Sequence, residues 1–467
     1  MQRIVASAVA YYALFQKNIA GDLAHKFPSD CFGVFTTLRR AQTLPSWPVD
    51  IHGCIGYWEP LYRKMSQASI CEKTMRVSAD TVTGDSRRTY FGPLEKDPGS
   101  QLEIDFMQLP VQTVDQRTGH LNGEPFSNRT HGLIVQSKTD RRRATYLPGV
   151  FPDLDWSNLL VSLKNKAGIA ATEQVDAIAY GVLQLRITLL DLLRDGIVHY
   201  FSGLKFARFL IENQAAGAKY PLPYAVTCST GQIHWNETDD VRNIATLAEL
   251  TASAEHHPDI LEDNERRSLE AAAVRILQEN TASAQALSFL GWLCPRLPEA
   301  VSQRFCSKLR SRLASAEAEF EAPEIRIGLM AAGCFPSKPP ERSTWESASI
   351  FGINWHLKTL EAYGEKPSPE VVAALVSRIG DILRGKDSET NFLAVAFEAM
   401  GVVSRLAPGS AEFSTNGRLA GMAFELFYEL ETRKARCGAS VLYPFMDGTA
   451  RVDITGHVHS ALFFFSN

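Results

Sequence analysis

His52-Gly53-Cys54-Ile55-Gly56 decides how the N-terminal part of the chain is read. Glycine lets a backbone bend tightly or lets another group approach it closely. The stretch therefore reads as a Gly-rich turn re-entering a sheet, with Cys54 easier to reach than a strand-centre thiol. Before it, Phe32 to Leu38 (FGVFTTL) is β-branched and aromatic, reads as a strand and ends on Arg39-Arg40. Residues 41–50 hold two prolines and read as a loop. Outward again, apolar positions at 4, 5, 8, 9, 12 and 15 predict a helix over 4–25, and Met65, Ile70, Met75 and Val77 predict another over 59–84. Leu102 to Leu109 alternates as a half-buried strand does. Leu133 to Ser137 and Arg143 to Leu147 read as a hairpin, and Trp156 to Lys166 and Thr172 to Arg194 read as helices. This order predicts an α+β domain, an antiparallel sheet flanked by helices, over residues 1–200.

Residues 201–237 read as a linker or short hairpin around Tyr220-Pro221-Leu222-Pro223. After Trp235 the strand signals stop. Helices are predicted at 239–255, 263–279, 282–294, 298–317, 324–334, 344–362, 368–384, 388–405, 415–435 and 453–465, with caps at Thr238, Thr281 and Ser368. Residues 238–467 therefore read as an all-α domain of paired helices. An α/α toroid and an open solenoid are the two ways to stack them, with no crisp repeat in the sequence to choose between them.

A chain of 467 residues is long for one core. Its 45% apolar and 21% charged residues are those of a globular protein. A net charge of -4 and a pI of about 6.3 lack the strong basic excess of a nucleic-acid-binding domain, although local RNA contact needs only a patch. Cysteines stand at 31, 54, 71, 228, 294, 306, 334 and 437 with no C-x-x-C pair. That spacing argues against structural zinc and a disulfide framework and for reduced thiols in a cytoplasmic protein. Ile4 to Phe15 has some signal-peptide character but reads better as a core helix. No run of 18 or more apolar residues is present, so no membrane span is expected.

The chemistry-bearing residues begin with Cys54. His131, in His131-Gly132-Leu133, sits at a strand edge and would lower the thiol pKa if the two met. Asp85, in Gly84-Asp85-Ser86-Arg87, would orient a partner or substrate. The plainer alternative is a free cysteine packed as a small apolar group.

Five segments, in order, resemble the AMME chromosomal region gene family, whose mark is a Leu-Arg-Gly-Cys-Ile-Gly core. They are Gly33–Leu38; His52–Gly56; Ser78-Ala79 with Asp85-Ser86-Arg87 and Gly92-Pro93-Leu94; Thr130–Ile134; and Arg143–Val150 followed by Trp156 and Lys166–Ile169. The resemblance covers roughly residues 1–200. It implies an α+β fold and a cleft lined by the Cys and His motifs, with a suspected enzymatic role on RNA or a metabolite. Relatives often accompany a Memo-type and a radical SAM protein. The chain departs from the family pattern in three places. His52 replaces the Arg before Gly-Cys, removing a fixed cation and adding a titratable ring. The Asp-Ser-Arg-Phe run is stretched, with Phe91 four residues after Arg87. Gly149 stands where Glu or Gln is usual.

In the helical part, Asp453 and His457 share a helix face at i and i+4, whereas His457 and His459 would share a face, and suit a metal, only on a strand. Asp453 also reads as an N-cap. Trp355-His356 would line the same concavity. Lys138–Arg143 is the one basic run, read as a solvated hairpin turn or a phosphate contact. Walker, dinucleotide, H-E-x-x-H and G-x-S-x-G motifs are absent, as are the clustered cysteines of a radical SAM enzyme.

The sequence thus predicts a Cys-dependent transferase or hydrolase acting on a small molecule, with no cofactor or metal. Cys54, His131, His52 and Asp85 are the catalytic candidates. Gly53, Gly56, Arg87, Trp355, His356, Asp453 and His457 are the substrate-binding candidates. The rival readings are a non-catalytic ligand- or RNA-binding scaffold, and chemistry in the helical funnel at Asp453 and His457.

Overall fold

The computed structural model describes residues 2–17, 23–40, 51–87, 97–216, 221–235, 262–278, 303, 348–385, 389–407, 410–414, 417–438 and 440–466. The chain divides into two compact units, Met1–Glu95 with Gly99–Leu189, and Lys96–Pro98 with Leu190–Asn467.

In the first unit, α1 (Gln2–Phe15) is apolar on nearly every side and buries Val5, Val9, Tyr11 and Phe15. It is followed by a short 3-10 turn, so the helix expected over 4–25 ends earlier. The strands are β1 (Cys31–Arg39), β2 (Ile51–Trp58), β3 (Gln101–Thr113), β4 (His120–Leu121), β5 (Glu124–Pro125), β6 (Gly132–Ser137), β7 (Arg143–Tyr146) and β8 (Val175–Thr188). Helix α2 (Gln67–Thr83) starts where the Ser66 side chain accepts the Ser69 N–H. That start is eight residues later than the expected residue 59. Helix α3 (Trp156–Lys166) starts where Asp155 accepts the Asn158 N–H.

Six strands form an antiparallel sheet in the order β2-β1-β3-β8-β6-β7, while β4 and β5 pair separately. The sheet curls until its edges meet. Arg143 of β7 lies 4.8 Å over the Trp58 ring of β2, and Tyr62 donates to Gln136 of β6 at 3.1 Å. Phe32, Met107, Ile134 and Tyr180 fill the inside of the curl with Phe35, Trp58 and Val182 around them. On the outer face Leu159 and Leu163 of α3 pack on Leu133, Val135, Ala144 and Ala177. At Pro110, which has no N–H to give, the β3–β8 register slips between Gln108 and Gln112.

Two expectations are corrected here. Residues 175–188 are a strand. Val-Asp-Ala-Ile-Ala-Tyr buries Val175, Ala177 and Ala179 on one side, the strand period of two, and the ladder with β3 overrides the helix propensity of its Ala, Leu and Gln residues. His52–Gly56 is extended strand, paired along β1. Only His52 is irregular: Leu38 faces Gly53 and Arg39 faces Ile51, leaving the buried His52 at the register shift.

The second unit holds α4 (Asp191–Arg194), α5 (Ile197–Glu212), β9 (Ala225–Thr227), β10 (Gln232–His234), α6 (Asp263–Gln278), α7 (Ile350–Tyr363), α8 (Pro369–Leu383), α9 (Thr390–Leu406), α10 (Arg418–Arg433), β11 (Ala435–Cys437), β12 (Ser440–Leu442), β13 (Thr449–Arg451) and α11 (Val452–Ser466). It is helix-rich, but strands do follow Trp235. The β9–β10 hairpin, turned at Gly231 with φ 72°, pairs with β13, and β11 pairs with β12. Ser368 caps α8 by position, with Pro369 following it. The predicted helices at 239–255, 282–294, 298–317 and 324–334, the caps Thr238 and Thr281, and the closure of a toroid lie outside the described residues.

Cys228 and Cys437 form a disulfide across 209 positions of sequence. The expectation of reduced thiols fails at this pair because the fold brings the β9–β10 and β11–β12 hairpins together, as the approach of Gly231 to Gly438 shows. Among the described residues, Cys31, Cys54 and Cys71 lie outside disulfides. No helix among the described residues is long and apolar enough to cross a membrane.

Candidate functional site

The register places functional side chains in rows across the curled sheet. Cys54 of β2 faces Thr37 of β1, which faces Glu103 of β3, which faces Arg186 of β8. The next row inward is Gly56, Phe35, Asp105 and Gln184, and the next Trp58, Gly33, Met107 and Val182. Residues two apart on a strand share a face. The concave surface therefore passes from apolar at Trp58, Met107 and Val182 to polar at Cys54, Thr37, Glu103 and Asp105.

Cys54 is half-buried. The Thr37 hydroxyl donates to its sulfur at 3.2 Å. Its backbone N–H and C=O face the outer edge of β2, where no further strand among the described residues pairs with it. Asp85 Oδ2 accepts the Cys54 N–H at 3.0 Å, and Arg87 Nη2 reaches the Cys54 carbonyl at 3.5 Å. Arg87 also grips Asp85 in a two-pronged ion pair at 2.7 and 2.9 Å. Burial alone would raise the Asp85 carboxyl, but the bonds from Arg87 and from the Cys54 N–H outweigh it and hold the group at about 2.

Burial raises the Cys54 thiol above its ordinary value, opposed by the Thr37 hydroxyl and by the Arg87 and Lys166 cations, while Asp105 adds to the rise. At neutral pH the sulfur is a thiol. Lys166, at the end of α3, donates to the Thr145 carbonyl at 2.9 Å and lies 4.7 Å over the Tyr146 ring.

Glu103 and Asp105 are 3% and 2% exposed. The Gln184 amide donates to both, at 2.8 Å to Asp105. Arg39 and Arg186 pair with Glu103. Burial first, then the Glu103 charge, pushes Asp105 up to about 7, against the pull of Gln184, Arg39 and Arg186. Asp105 thus keeps its proton into the neutral range.

The two glycines flanking Cys54 are filled by the protein itself. A Cβ on Gly53 would stand 2.4 Å from the Thr81 carbonyl of α2, and one on Gly56 would meet the Phe35 ring. They let α2 and Phe35 close on β2. His131 stands just before β6, hydrogen-bonded to the Thr130 hydroxyl at 2.9 Å, its ring 6.5 Å from that of Phe126. The ionisable groups acting on Cys54 are Arg87, Lys166 and Asp105. Sequence reasoning missed Thr37, Glu103, Asp105, Gln184 and Lys166. The alternation of β3 was visible, but polar positions on an alternating strand read as solvent-facing, and the curl puts Glu103 and Asp105 inside.

The basic run is matched by acids. Lys138 pairs with Asp176, and Arg142 with Asp140 and Glu173. In the helical unit Asp453 pairs with Arg451. His457 lies on helix α11 and turns to Glu398, while His459 stacks on Phe206, so the pair does not share a face. Trp355 stacks under Lys358, which pairs with Glu398, and the neighbouring His356 is half-buried on α7. Among the described residues no group of three or more His, Cys, Asp or Glu is placed to hold a metal ion.

The first unit is thus an α+β domain whose curled antiparallel sheet carries a strand thiol and a carboxyl pushed up to about 7 on its inner face. Residues 3–184 match the AMMECR1 family model, and this part of the chain is an AMMECR1 domain. The crystal structure of an uncharacterised protein from Pyrococcus horikoshii is similar at 20% identity, over 39% of this chain and 88% of that one, with a TM-score of 0.30. No curated protein matches the sequence.

Proposed function

We propose that the AMMECR1 domain acts on a small molecule by group transfer or hydrolysis at the inner face of its sheet, with Cys54 as the reacting group. One juxtaposition supports this: a half-buried thiol on a backbone fixed by Asp85 and Arg87 shares a surface with Asp105, a carboxyl pushed up to about 7. Two strand spacings, about 10 Å, separate their strands, a gap the size of a small substrate. The sulfur attacks an acyl carbon, the S–C bond forms, and the bond from that carbon to the leaving group breaks as the tetrahedral adduct collapses to a thioester. The thiol proton passes through substrate or water to the ionised fraction of Asp105, then to the leaving group, and water cleaves the thioester. Arg87 and Lys166 supply positive charge for the developing oxyanion. His131 and His52 enter as candidate positioning groups at the ends of β6 and β2.

p-Nitrophenyl acetate serves as the acyl donor for the test. Wild-type protein is expected to release p-nitrophenolate and to carry acetyl on Cys54 by peptide mass spectrometry. Cys54→Ser loses both, and Asp105→Asn slows release. A Cys54 left unmodified by this ester and by iodoacetamide in the folded protein sinks the reading. The raised thiol pKa favours the second reading in that case, a module that holds a small ligand or RNA without reacting.

A further inference from the structure

Lys166, at the end of α3, is exposed to solvent, and its charge acts on both the Cys54 sulfur and Arg87. The two cations differ in what they hold. Arg87 is gripped by Asp85, whereas no carboxylate among the described residues pairs with Lys166. One of its three N–H groups goes to the Thr145 carbonyl at 2.9 Å, and the ammonium lies 4.7 Å over the Tyr146 ring. Tyr146 in turn meets Phe151 edge-on, with ring centroids 4.8 Å apart. Phe151 belongs to a loop that shows apolar side chains to water: Val150, Phe151 and Leu154 are 38%, 39% and 39% exposed. The buried Asn128 fastens this loop. Its side-chain amide donates to the carbonyls of His131 and Leu147 at 3.0 and 3.3 Å, and its Oδ1 accepts the Phe151 N–H at 3.1 Å. Gly149, at φ 77°, makes the turn. Apolar side chains held in a fixed array in water point to a recognition surface.

We propose that Lys166, Tyr146 and Phe151 form a subsite beside Cys54 for a small amphipathic anion, its carboxylate or phosphate on the Lys166 ammonium and its apolar body along Tyr146, Phe151 and Val150. The subsite rests on the reading of Cys54 as the reacting group and gives its acyl donor two features, a negative charge and an apolar body the size of a ring. After the bond to Thr145, two N–H groups of Lys166 are left, one for the charge the substrate carries and one for the oxyanion that develops at the acyl carbon. The Tyr146 ring under the ammonium keeps water from one side of the ion pair, which strengthens it. The apolar loop supplies contact area and the single charge fixes orientation, the usual division of roles in a small-molecule site. Because Asn128 already holds the loop, little further ordering is needed when the ligand docks.

The test uses the full chain carrying Cys54→Ser, which forms no thioester, so its outcome is separate from that of the acylation experiment. Calorimetric titration compares 4-phenylbutyrate with its neutral amide and with acetate. The phenyl acid is expected to bind saturably and about 10-fold tighter than either, because only it offers both a charge and a ring. Phenyl phosphate, titrated alongside, separates phosphate from carboxylate: the tighter of the two names the anionic group. Lys166→Met is expected to bring the acid down to the affinity of the amide. Phe151→Ser is expected to weaken acid and amide alike by about 10-fold, about 1.4 kcal/mol. Binding of neither anion, equal affinity for acid and amide, or an affinity unchanged in folded Lys166→Met protein overturns the proposal. The comparison of acid with amide needs neither Lys166→Met nor Phe151→Ser, so it decides the matter even where those changes disturb the fold.

Discussion

The Asp85 carboxylate accepts the backbone N–H of Cys54 at 3.0 Å, on the side of β2 where no strand among the described residues pairs. Among the described residues β2 is an edge strand, with no ladder partner on its outward side. At Cys54 the gap is closed by a side chain from the loop after α2, and Arg87 covers the carbonyl of the same residue. The position of the sulfur therefore depends on an ion pair that follows it by about thirty residues in sequence.

Replacing Asp85 with alanine is expected to lower stability by about 1–3 kcal/mol, the cost of leaving such a partner unmatched. The pH dependence has a definite sign. A carboxyl held at about 2 when folded, against 3.8 ordinarily, stabilises fully above about pH 4, and this is lost as pH falls toward 2. Urea denaturation at pH 6 and pH 2.5 should show the wild type and Asp85→Ala far apart at the first and close together at the second.

Gly53→Ala is expected to destabilise by about 1–3 kcal/mol, the range for overpacking a close contact. The added methyl would stand 2.4 Å from the Thr81 carbonyl, a backbone atom that moves only if α2 moves. Equilibrium denaturation measures the loss. A neutral effect would mean that α2 is not seated on β2 as described.

Asp105 behaves in the opposite sense to Asp85. Its folded value of about 7 lies above the ordinary 3.8, so the unfolded chain releases this proton first. Its cost to stability therefore grows from about pH 4 to about pH 7 and then levels off. Asp105→Asn is expected to raise the thermal midpoint at pH 8 and to have a smaller effect at pH 4.5. Equal shifts at the two pH values would show that this carboxyl ionises normally in the fold.

Local signals in the sequence located α3 closely, because Asp155 supplies an N-cap and the apolar positions recur at helical spacing. Strands β1, β6 and β7 were legible from β-branched residues and turns. Strand β8 was not: Ala, Leu and Gln favour helix locally, and only the pairing with β3 and β6 decides the matter. At the site, Cys54, Asp85 and Arg87 stood out from their motifs and the structure brings them together. Asp105 and Lys166 did not, because their proximity comes from the curl of the sheet. The glycines were recognised as sites of close approach, but the visitors are Thr81 and Phe35 of the same chain.

The bond between Cys228 and Cys437 also governs what a protease can release. A single cut anywhere in the 208 positions between them leaves both fragments on one covalent molecule. Nicked protein would keep its full mass in a non-reducing gel and separate into pieces only after a reductant is added.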